Sequence, residues 1–288
     1  MPSLIDFRRR IRSVKNTQQI TKAMKMVSAA KLRRAQEAVI AARPYANSLQ
    51  ELLSNVAVAS KNADVAHPLL AVRPEKRVQV ILITADRGLA GALNTNLNKG
   101  AGKFVDEKLA AGIEKVQVEA IGRKGRDFFK KRGVTITGEH FNLTKKCTYA
   151  DAKTIAESIM ARYASAEVDA VYLIFNEFKS VMSQKLDVRR LLPVVLPEGG
   201  AAAKDYIFEQ PAAQLLGTLL PRYVEVELYK AILESTAAEH AARMTAMDSA
   251  SSNAADVIER LTLVMNRVRQ ASITREIIEV VSGASALE

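Results

Sequence analysis

The stretch MDSASSNAADVIERLTLVMNRVRQASITREII, residues 247–278, indicates the fold class. Its apolar and small residues recur at alternating intervals of three and four, the heptad spacing of a coiled coil. This stripe contains Met247, Ala250, Ala254, Val257, Leu261, Val264, Val268, Ala271, Arg275 and Ile278. Neither glycine nor proline occurs between Pro221 and Gly283, so the pattern predicts one helix over residues 222–282. A helix of this length needs a partner, because an isolated helix has no core to pack on.

The amino-terminal segment supplies a matching stripe. Between Pro2 and Pro44 there is again neither glycine nor proline. The stripe contains Leu4, Phe7, Ile11 and Val14, and it resumes after a phase shift at Ile20, Met24 and Val27. We therefore expect the two ends of the chain to form one antiparallel coiled coil. Two core helices of an ordinary bundle are the alternative.

Polar residues interrupt both stripes. Gln18 and Thr21 lie within the first stripe, and Arg275 occupies a stripe position in the last. Such residues reduce the stability of a helix pair. They are either devices that fix the register, or a sign that this end of the pair leaves its partner and contacts other proteins.

The middle of the chain follows a different pattern. Apolar, β-branched runs of strand length occur at residues 78–84, 116–122, 134–138 and 168–178. Helical patterns separate them at residues 93–109, 123–131 and 149–163. Alternating strands and helices predict a mainly parallel sheet in a Rossmann-like α/β head. The predicted organisation is a helix over residues 1–60, the head over residues 75–197, and a second long helix over residues 208–288.

The charge of the chain is unevenly distributed. Its 288 residues include 42 Lys and Arg against 31 Asp and Glu, a formal net charge of +11. The first 43 residues carry a net charge of +9, whereas residues 209–288 carry −4. If the two ends lie side by side, part of the basic excess pairs with the acidic tail. A basic coiled-coil nucleic-acid-binding protein is an alternative, but aromatic residues do not interleave these cations, since Phe7 is the only one before Tyr45.

Two glycine-containing turns deserve a test for phosphate binding. DRGLAGALN, residues 86–94, follows the first predicted strand, where open α/β sheets bind nucleotides. Its glycines give only the spacing GxxG, without the third glycine of the dinucleotide motif or the lysine of a P-loop. GRKGR, residues 122–126, has the same spacing and three cations. DRGLAGALN is predicted to be a tight structural turn at the strand exit, with a nucleotide-dependent enzyme as the alternative. GRKGR is predicted to be a solvated turn, with an anion or RNA-backbone contact as the alternative.

The sequence contains no recognisable catalytic cluster. His67, His140 and His240 are far apart and form no metal-binding spacing. Cys147 is the only cysteine, which excludes an intramolecular disulfide and fits a reducing compartment. Two lysines precede it and favour a lowered thiol pKa, but no base is evident. We therefore expect no catalytic residue, cofactor or metal site. The apolar runs are also shorter than a membrane span requires.

Four segments resemble one protein family in sequence. They are NTQQITKAMKMVSAAKLRRAQ at residues 16–36, ARPYA at residues 42–46, ITADRGLAGALN at residues 83–94, and LVMNRVRQASITREIIEVVSGASAL at residues 263–287. Together they closely resemble the gamma subunits of F-type ATP synthases. The resemblance runs from end to end in the same order, and the carboxyl-terminal block is the most specific part of it.

The resemblance implies a rotor shaft without catalytic groups of its own. In this family the terminal helices form an antiparallel coiled coil inside a hexamer of alpha and beta subunits. The α/β head lies at the foot of the shaft, with the epsilon subunit on the membrane rotor ring. Proton flow turns the ring and the shaft, which drives the beta subunits through their states of ATP synthesis. One copy per complex, no direct binding of nucleotide and no binding of nucleic acid are expected.

The resemblance also assigns contact residues. Met24, Lys25, Lys31, Arg33 and Arg34 resemble the surface that faces acidic loops of the beta subunits. The upper contacts with loops of the hexamer are implied to be Arg269, Gln270 and Thr274, and the apolar tip that turns in a sleeve to be Ile277, Ile278, Val280 and Val281. Asp86, Arg87 and Gly88 belong to the family's signature loop between head and shaft.

The cysteines of this chain depart from the family pattern in two ways. The cysteine common in the signature loop of the family is Ala90 here, and Cys147 has no second cysteine, so no thiol switch is expected. Because the resemblance begins near Met1, no transit peptide is expected. This favours a bacterial protein at the cytoplasmic face of the inner membrane, attached peripherally.

Overall fold

Two long helices enclose an α/β domain in sequence. The computed structural model describes residues 3–59, 67–144, 147–195 and 210–285. The long helices are α1, Leu4–Ala59, and α5, Ala212–Ser285. Between them follow β1 (Arg77–Ile83), α2 (Leu93–Ala110), β2 (Lys115–Ile121), α3 (Arg123–Lys131), β3 (Thr135–His140), α4 (Tyr149–Ala164), β4 (Ala170–Phe178) and β5 (Gln184–Leu192). A short 3-10 helix, Pro68–Leu70, precedes β1. The predicted fold class is confirmed.

The chain divides into two compact units. One contains Met1–Ser28 and Met244–Glu288, and the other contains Ala29–Arg243. The three-segment division at residues 1–60, 75–197 and 208–288 stays a prediction.

Both long helices continue through a proline. Pro44 lies inside α1 and Pro221 inside α5, so the predicted helix start at residue 222 is wrong by ten residues. Proline removes one backbone hydrogen bond of the helix. Buried apolar residues flank each proline: Ala46 and Leu49 follow the first, and Leu220 precedes the second. Their packing maintains the helix across the lost bond.

In the first unit, α1 and α5 run antiparallel. Gln18 Nε2 donates to the carbonyl oxygen of Ser251 at 3.3 Å, and Lys25 Nζ lies 2.6 Å from Asp248 Oδ1. Residue numbers rise along α1 as they fall along α5. The expected antiparallel pairing is therefore present.

The predicted phase shift in the first stripe is wrong. Ile20 and Val27 are 60% and 55% exposed, whereas Thr21 and Ser28 are buried. The seven-residue repeat that begins at Phe7 thus continues through polar positions. Polar residues fit there because the hydroxyls of Thr21 and Ser251 lie 2.7 Å apart and satisfy each other. Of the two explanations for the polar interruptions, an internal contact between the helices holds at Thr21.

The carboxyl-terminal stripe is buried over only part of its length. Met247 and Ala254 are buried, but Val264 is 39% and Ile278 58% exposed. Given the pairing of Lys25 with Asp248, the start of α1 at Leu4 lies opposite a residue at about position 269. Beyond that point no described α1 residue lies beside α5, so the prediction that Ile278 faces a partner helix of the same chain is wrong.

The second unit contains a five-stranded sheet in the order β3-β2-β1-β4-β5. The first four strands are parallel, and β5 pairs antiparallel with β4 at the edge. The four predicted strands are confirmed, but β5 was missed. Its sequence QKLDVRRLL carries four charged residues, which an edge strand tolerates and a buried strand does not.

Each face of the sheet has its own apolar core. On one face, α2 and α3 contribute Leu97, Ala101 and Phe129. The other face packs on α4 and α5, and residues Leu53 and Val56 of α1 join that core. The carboxyl ends of the parallel strands therefore open beside α5, where the candidate site lies.

Candidate functional site: a cationic cavity beside the signature loop

The loop after β1 is anchored to the start of α3. The N–H groups of Arg123, Lys124 and Gly125 donate to Asp86 Oδ1 (3.2 Å), the Ala85 carbonyl oxygen (3.2 Å) and Thr84 Oγ1 (2.9 Å), respectively. The first N–H groups of a helix have no partner within it and carry partial positive charge. Residues 84–86 accept hydrogen bonds from three of these N–H groups, one each.

Close approach of two backbones explains Gly122. Its φ is +103°, and a Cβ atom there would lie 2.1 Å from the carbonyl oxygen of Thr84. Only glycine fits this position. GRKGR is therefore the entry and first turn of α3, and the predicted solvated turn is wrong for its two glycines, which are both buried.

The same anchoring bears on the anion-binding alternative for GRKGR. Open α/β sheets bind phosphate at a helix N-terminus near the carboxyl ends of their strands. At the start of α3 this position is taken by the carboxylate of Asp86, whose Oδ2 also accepts from the N–H of Asn142 at 2.8 Å. The negative charge that a phosphate would bring is supplied by the chain itself.

A cavity of about 280 Å³ lies beside this loop, within the second unit. Four of the predicted contact residues, Lys31, Arg34, Asp86 and Arg87, line it together with Glu239, His240 and Arg243 of α5. Leu143, Thr144 and Cys147 are also among its lining residues. The structure thus brings together parts of α1, the loop after β1 and α5 that are remote in sequence.

Positive charge dominates the cavity wall. Lys31, Arg34 and Arg87 are exposed, and none of them forms an ion pair within the part of the chain that the structure describes. Asp86 is engaged by two backbone N–H groups, and Glu239 Oε1 lies 2.6 Å from Arg243 Nη2. The three cations therefore remain available to an anionic group from outside.

Arg243 joins α5 to the loop. Its Nη2 also donates to the carbonyl oxygen of Gly88 at 3.4 Å, and its Nη1 lies 3.4 Å from Nδ1 of His240. Burial raises the pKa of Glu239, against the opposing charge of Arg243. Burial, together with the positive charges of Arg243 and Lys31, lowers the pKa of His240 to about 4. His240 is therefore neutral at physiological pH and presents no charge to the cavity.

The remaining α1 residues of the predicted contact set do not line the cavity. Lys25 forms its ion pair with Asp248, and Met24 is partly buried, both in the first unit. Arg33 is exposed and pairs with Glu37, one turn further along α1. The structure therefore separates Arg33 from its neighbours Lys31 and Arg34.

The predicted upper contacts lie on exposed helix surface. Arg269, Gln270 and Thr274 are all exposed on α5. The predicted apolar tip is exposed as well, with Ile277 57% and Val280 72% accessible. Ile273, Ile277, Val280 and Val281 line a shallow apolar groove of about 260 Å³. Solvated apolar surface of this kind is typical of a site that another protein covers.

The histidines and the cysteine have structural environments. His67 Nδ1 accepts from the N–H of Leu69 and caps the 3-10 helix. His140 Nε2 lies 2.9 Å from Glu119 Oε1. Burial, with the negative charge of Asp151, raises the pKa of Cys147 to about 12. This direction is opposite to the lowered pKa that the two preceding lysines suggested; Lys145 and Lys146 themselves lie outside the described residues.

Sequence reasoning missed the α5 side of the cavity. Glu239 and Arg243 are spaced as a helical i, i+4 ion pair, which is visible in the sequence. What the sequence does not show is that this pair faces inward. Glu239 and His240 are both buried, a placement that only the packing of α5 against the loop defines.

The described residues contain neither a metal-binding cluster nor a membrane-spanning helix. No group of three or more histidine, cysteine, aspartate or glutamate residues is arranged to hold a metal ion there. Nor does that part of the chain contain a helix with the length and hydropathy of a membrane span.

Comparison with known sequences gives matches over the whole chain. The family model described as ATP synthase matches residues 3–287. An ATP synthase gamma chain from Solibacter usitatus is 62% identical over 290 residues, covering 100% of both chains. That of Pelotomaculum thermopropionicum is 52% identical, again over the full length of both.

Solved structures match the fold. The central stalk and c-ring structure of the Tetrahymena thermophila mitochondrial ATP synthase contains a chain that matches 81% of this chain with 99% of its own length, at 25% identity and a TM-score of 0.61. A chain of the Euglena gracilis mitochondrial ATP synthase matches 99% of this chain with 94% of its own length, at 20% identity and a TM-score of 0.65.

Proposed function

The chain belongs to the family of ATP synthase gamma chains, and we propose that its cationic cavity receives acidic loops of the beta subunits. As a gamma chain it is the central rotor shaft, which couples proton flow through the membrane sector to ATP synthesis and hydrolysis in the catalytic hexamer. The observation that carries the proposal is the convergence of Lys31, Arg34 and Arg87, unpaired within the described residues, on one cavity. Cations placed this way attract carboxylates and orient them.

The other contacts follow from the same family membership. Arg269, Gln270 and Thr274 meet loops of the hexamer, and Ile277 and Ile278 turn in an apolar sleeve. Met24, Lys25 and Arg33 belong to the surface of α1 that faces the beta subunits. The exposed apolar groove near the end of α5 supports the sleeve, because it would be covered in the assembled complex.

The chain acts without chemistry of its own. It carries no catalytic residue and binds no nucleotide, and one copy serves each complex.

The epsilon subunit and the membrane rotor ring bind the α/β domain, and the complex lies at the cytoplasmic face of the inner membrane as a peripheral assembly. The carboxylate of Asp86 at the start of α3 supports the absence of an anion site at GRKGR, because it lies where a bound phosphate would lie. No comparison favours the nucleic-acid-binding alternative.

Reconstitution tests the function directly. The full chain is mixed with alpha and beta subunits of Solibacter usitatus, whose gamma chain is 62% identical, and steady ATP hydrolysis is measured. We expect a stable complex with sustained hydrolysis. If the subunits neither bind the chain nor gain activity from it, the rotor assignment is wrong.

A charge-reversal variant tests the cavity. Replacing Lys31, Arg34 and Arg87 with glutamate should reduce the rate of ATP hydrolysis at low salt about tenfold or more, because each reversal converts an attraction into a repulsion. The difference in rate between the variant and the unchanged chain should become smaller at high salt, because salt screens the repulsion. Lys153→Glu is the matched control, since Lys153 is an exposed lysine of α4 that pairs with Glu157 and lies outside both the cavity and the predicted contact set. Equal activity of the triple variant and the unchanged chain would refute the cavity as a docking site.

A further inference from the structure

We propose that Asp86 is a positioning residue that holds Arg87 at the rim of the cavity, an inference that rests on the docking function proposed above. The two carboxylate oxygens of Asp86 bind two separate segments: Oδ1 accepts from the N–H of Arg123 at the start of α3, and Oδ2 accepts from the N–H of Asn142 after β3. One side chain thereby ties three segments together.

The residue on the other side of Arg87 is also anchored. The carbonyl oxygen of Gly88 accepts from Arg243, whose guanidinium is held in turn by Glu239 at 2.6 Å. Arg87 thus lies between two fixed backbone positions, while its own side chain is exposed and forms no ion pair within the described residues. A long, flexible cation binds an anion better when its backbone is already fixed, because less conformational entropy is lost on binding.

The chemistry of the anchor requires a carboxylate. Asp86 accepts two backbone N–H groups, one of them at a helix N-terminus where negative charge is stabilised. Asparagine has one acceptor oxygen, so its NH₂ group would face one of the two N–H donors. Removing the charge therefore releases one tether and weakens the other.

We expect the domain to stay folded when the Asp86 anchor is removed. The N–H groups of Lys124 and Gly125 keep their partners in Ala85 and Thr84, and Ala85 N–H keeps its bond to Asn94 Oδ1. Asp86→Asn should therefore leave β1, α3 and the core between them intact and loosen only the part of the loop that carries Arg87.

A double-mutant cycle separates positioning from general stability. Asp86→Asn, Arg87→Ala and the double variant are each assembled as full chains with the alpha and beta subunits, and ATP hydrolysis is measured at low salt. We expect Asp86→Asn alone to reduce the rate three- to tenfold, and to have no further effect once Arg87 is alanine. Asp106→Asn is the matched control, because Asp106 is an exposed aspartate paired at 3.5 Å with Arg132, away from the cavity.

The outcomes are distinct. An equal fold-loss from Asp86→Asn in both backgrounds would show a general structural role and overturn the proposal, as would full activity of Asp86→Asn beside an impaired Arg87→Ala. If Arg87→Ala is itself fully active, the failure lies in the docking function, and the proposal falls with it. Loss of the Asp86 effect in the Arg87→Ala background, with melting temperatures matching the control, supports positioning.

Discussion

The hydroxyl of Thr21 lies 2.7 Å from the hydroxyl of Ser251, in the buried contact between the two terminal helices. Each hydroxyl also lies near a carbonyl oxygen of its own helix, Thr21 Oγ1 at 3.0 Å from that of Gln18 and Ser251 Oγ at 2.8 Å from that of Met247. Because each hydroxyl has one proton, one of them donates to the other hydroxyl and the second donates to its own carbonyl. A polar pair in this position fixes which turns of α1 and α5 lie opposite each other. Burying these two hydroxyl groups costs little stability because each oxygen has a hydrogen-bond partner.

Breaking this pair should destabilise the first unit. Thr21→Val leaves the Ser251 hydroxyl facing a methyl group and should lower the free energy of unfolding by about 1–2 kcal/mol. Adding Ser251→Ala should recover part of the loss, since both polar groups are then gone. Denaturation of the full chain followed by circular dichroism measures both. Thr17→Val, on the exposed side of α1, is the control. An equal loss of unfolding free energy in Thr17→Val would show that the Thr21–Ser251 pair makes no specific contribution to stability.

Alanine substitutions at Gly122 and Gly133 can distinguish the cost of backbone strain from the cost of a steric clash. Gly122 and Gly133 both have positive φ, +103° and +71°, but only Gly122 lies against another backbone. Gly133→Ala should cost about 1 kcal/mol of stability from its φ alone. For Gly122→Ala we expect about 3 kcal/mol or more, because the new Cβ would meet the Thr84 carbonyl. Similar melting temperatures for the two variants would contradict this account of the GRKGR turn.

The buried His240 should make the chain sensitive to acid. Its pKa of about 4 lies below the unfolded value of 6.5, so the unfolded chain binds more protons between these pH values. Stability from this residue is complete above pH 6.5 and falls as the pH drops to 4, by up to about 3 kcal/mol. His240→Gln should remove that part of the pH dependence. The test is the unfolding free energy of both chains, measured from pH 7.5 to 4.5. If the two chains lose the same stability over this range, the prediction is wrong, because protonation of His240 then costs no stability.

The single cysteine should be unreactive in the folded chain. With its pKa raised to about 12 from 9.0, Cys147 should react with iodoacetamide at pH 8 about a thousandfold more slowly than in the unfolded chain, because only the thiolate attacks. Rates with and without urea, followed by mass spectrometry, give the ratio. Rapid labelling of the native chain would place the thiol in a more open environment than the structure gives it.

The exposed residues near the end of α5 should affect coupling and leave folding unchanged. Replacing Arg269, Gln270 and Thr274 with alanine removes no buried contact, so the melting temperature of the chain should stay the same. In membranes with the complete complex, proton pumping per ATP hydrolysed should fall severalfold. Arg260→Ala, also exposed on α5, is the control. Unchanged pumping by the triple variant would exclude these residues from the contact.

The sequence by itself determined the class of structure. The long intervals without glycine or proline predicted both terminal helices, and β-branched runs predicted four of the five strands, because local periodicity and propensity decide such elements. The predicted helical segments 1–60 and 208–288 already included Pro44 and Pro221, but only the structure shows the packing at distant residues that compensates the lost hydrogen bonds. Strand β5 was missed because an edge strand shows no apolar run.

Only the tertiary structure decided which residues form the site. Lys31, Arg34 and Arg87 share nothing in sequence beyond positive charge, and Arg33 looks equivalent to them. Helix α1 turns Arg33 toward Glu37 and away from the cavity, while the loop after β1 and α5 bring Arg87 and Arg243 to it. The inward placement of Glu239 and His240 arises in the same way. Charge and propensity are properties of single residues and their neighbours, whereas a cavity depends on contacts between segments about 50 to 200 residues apart.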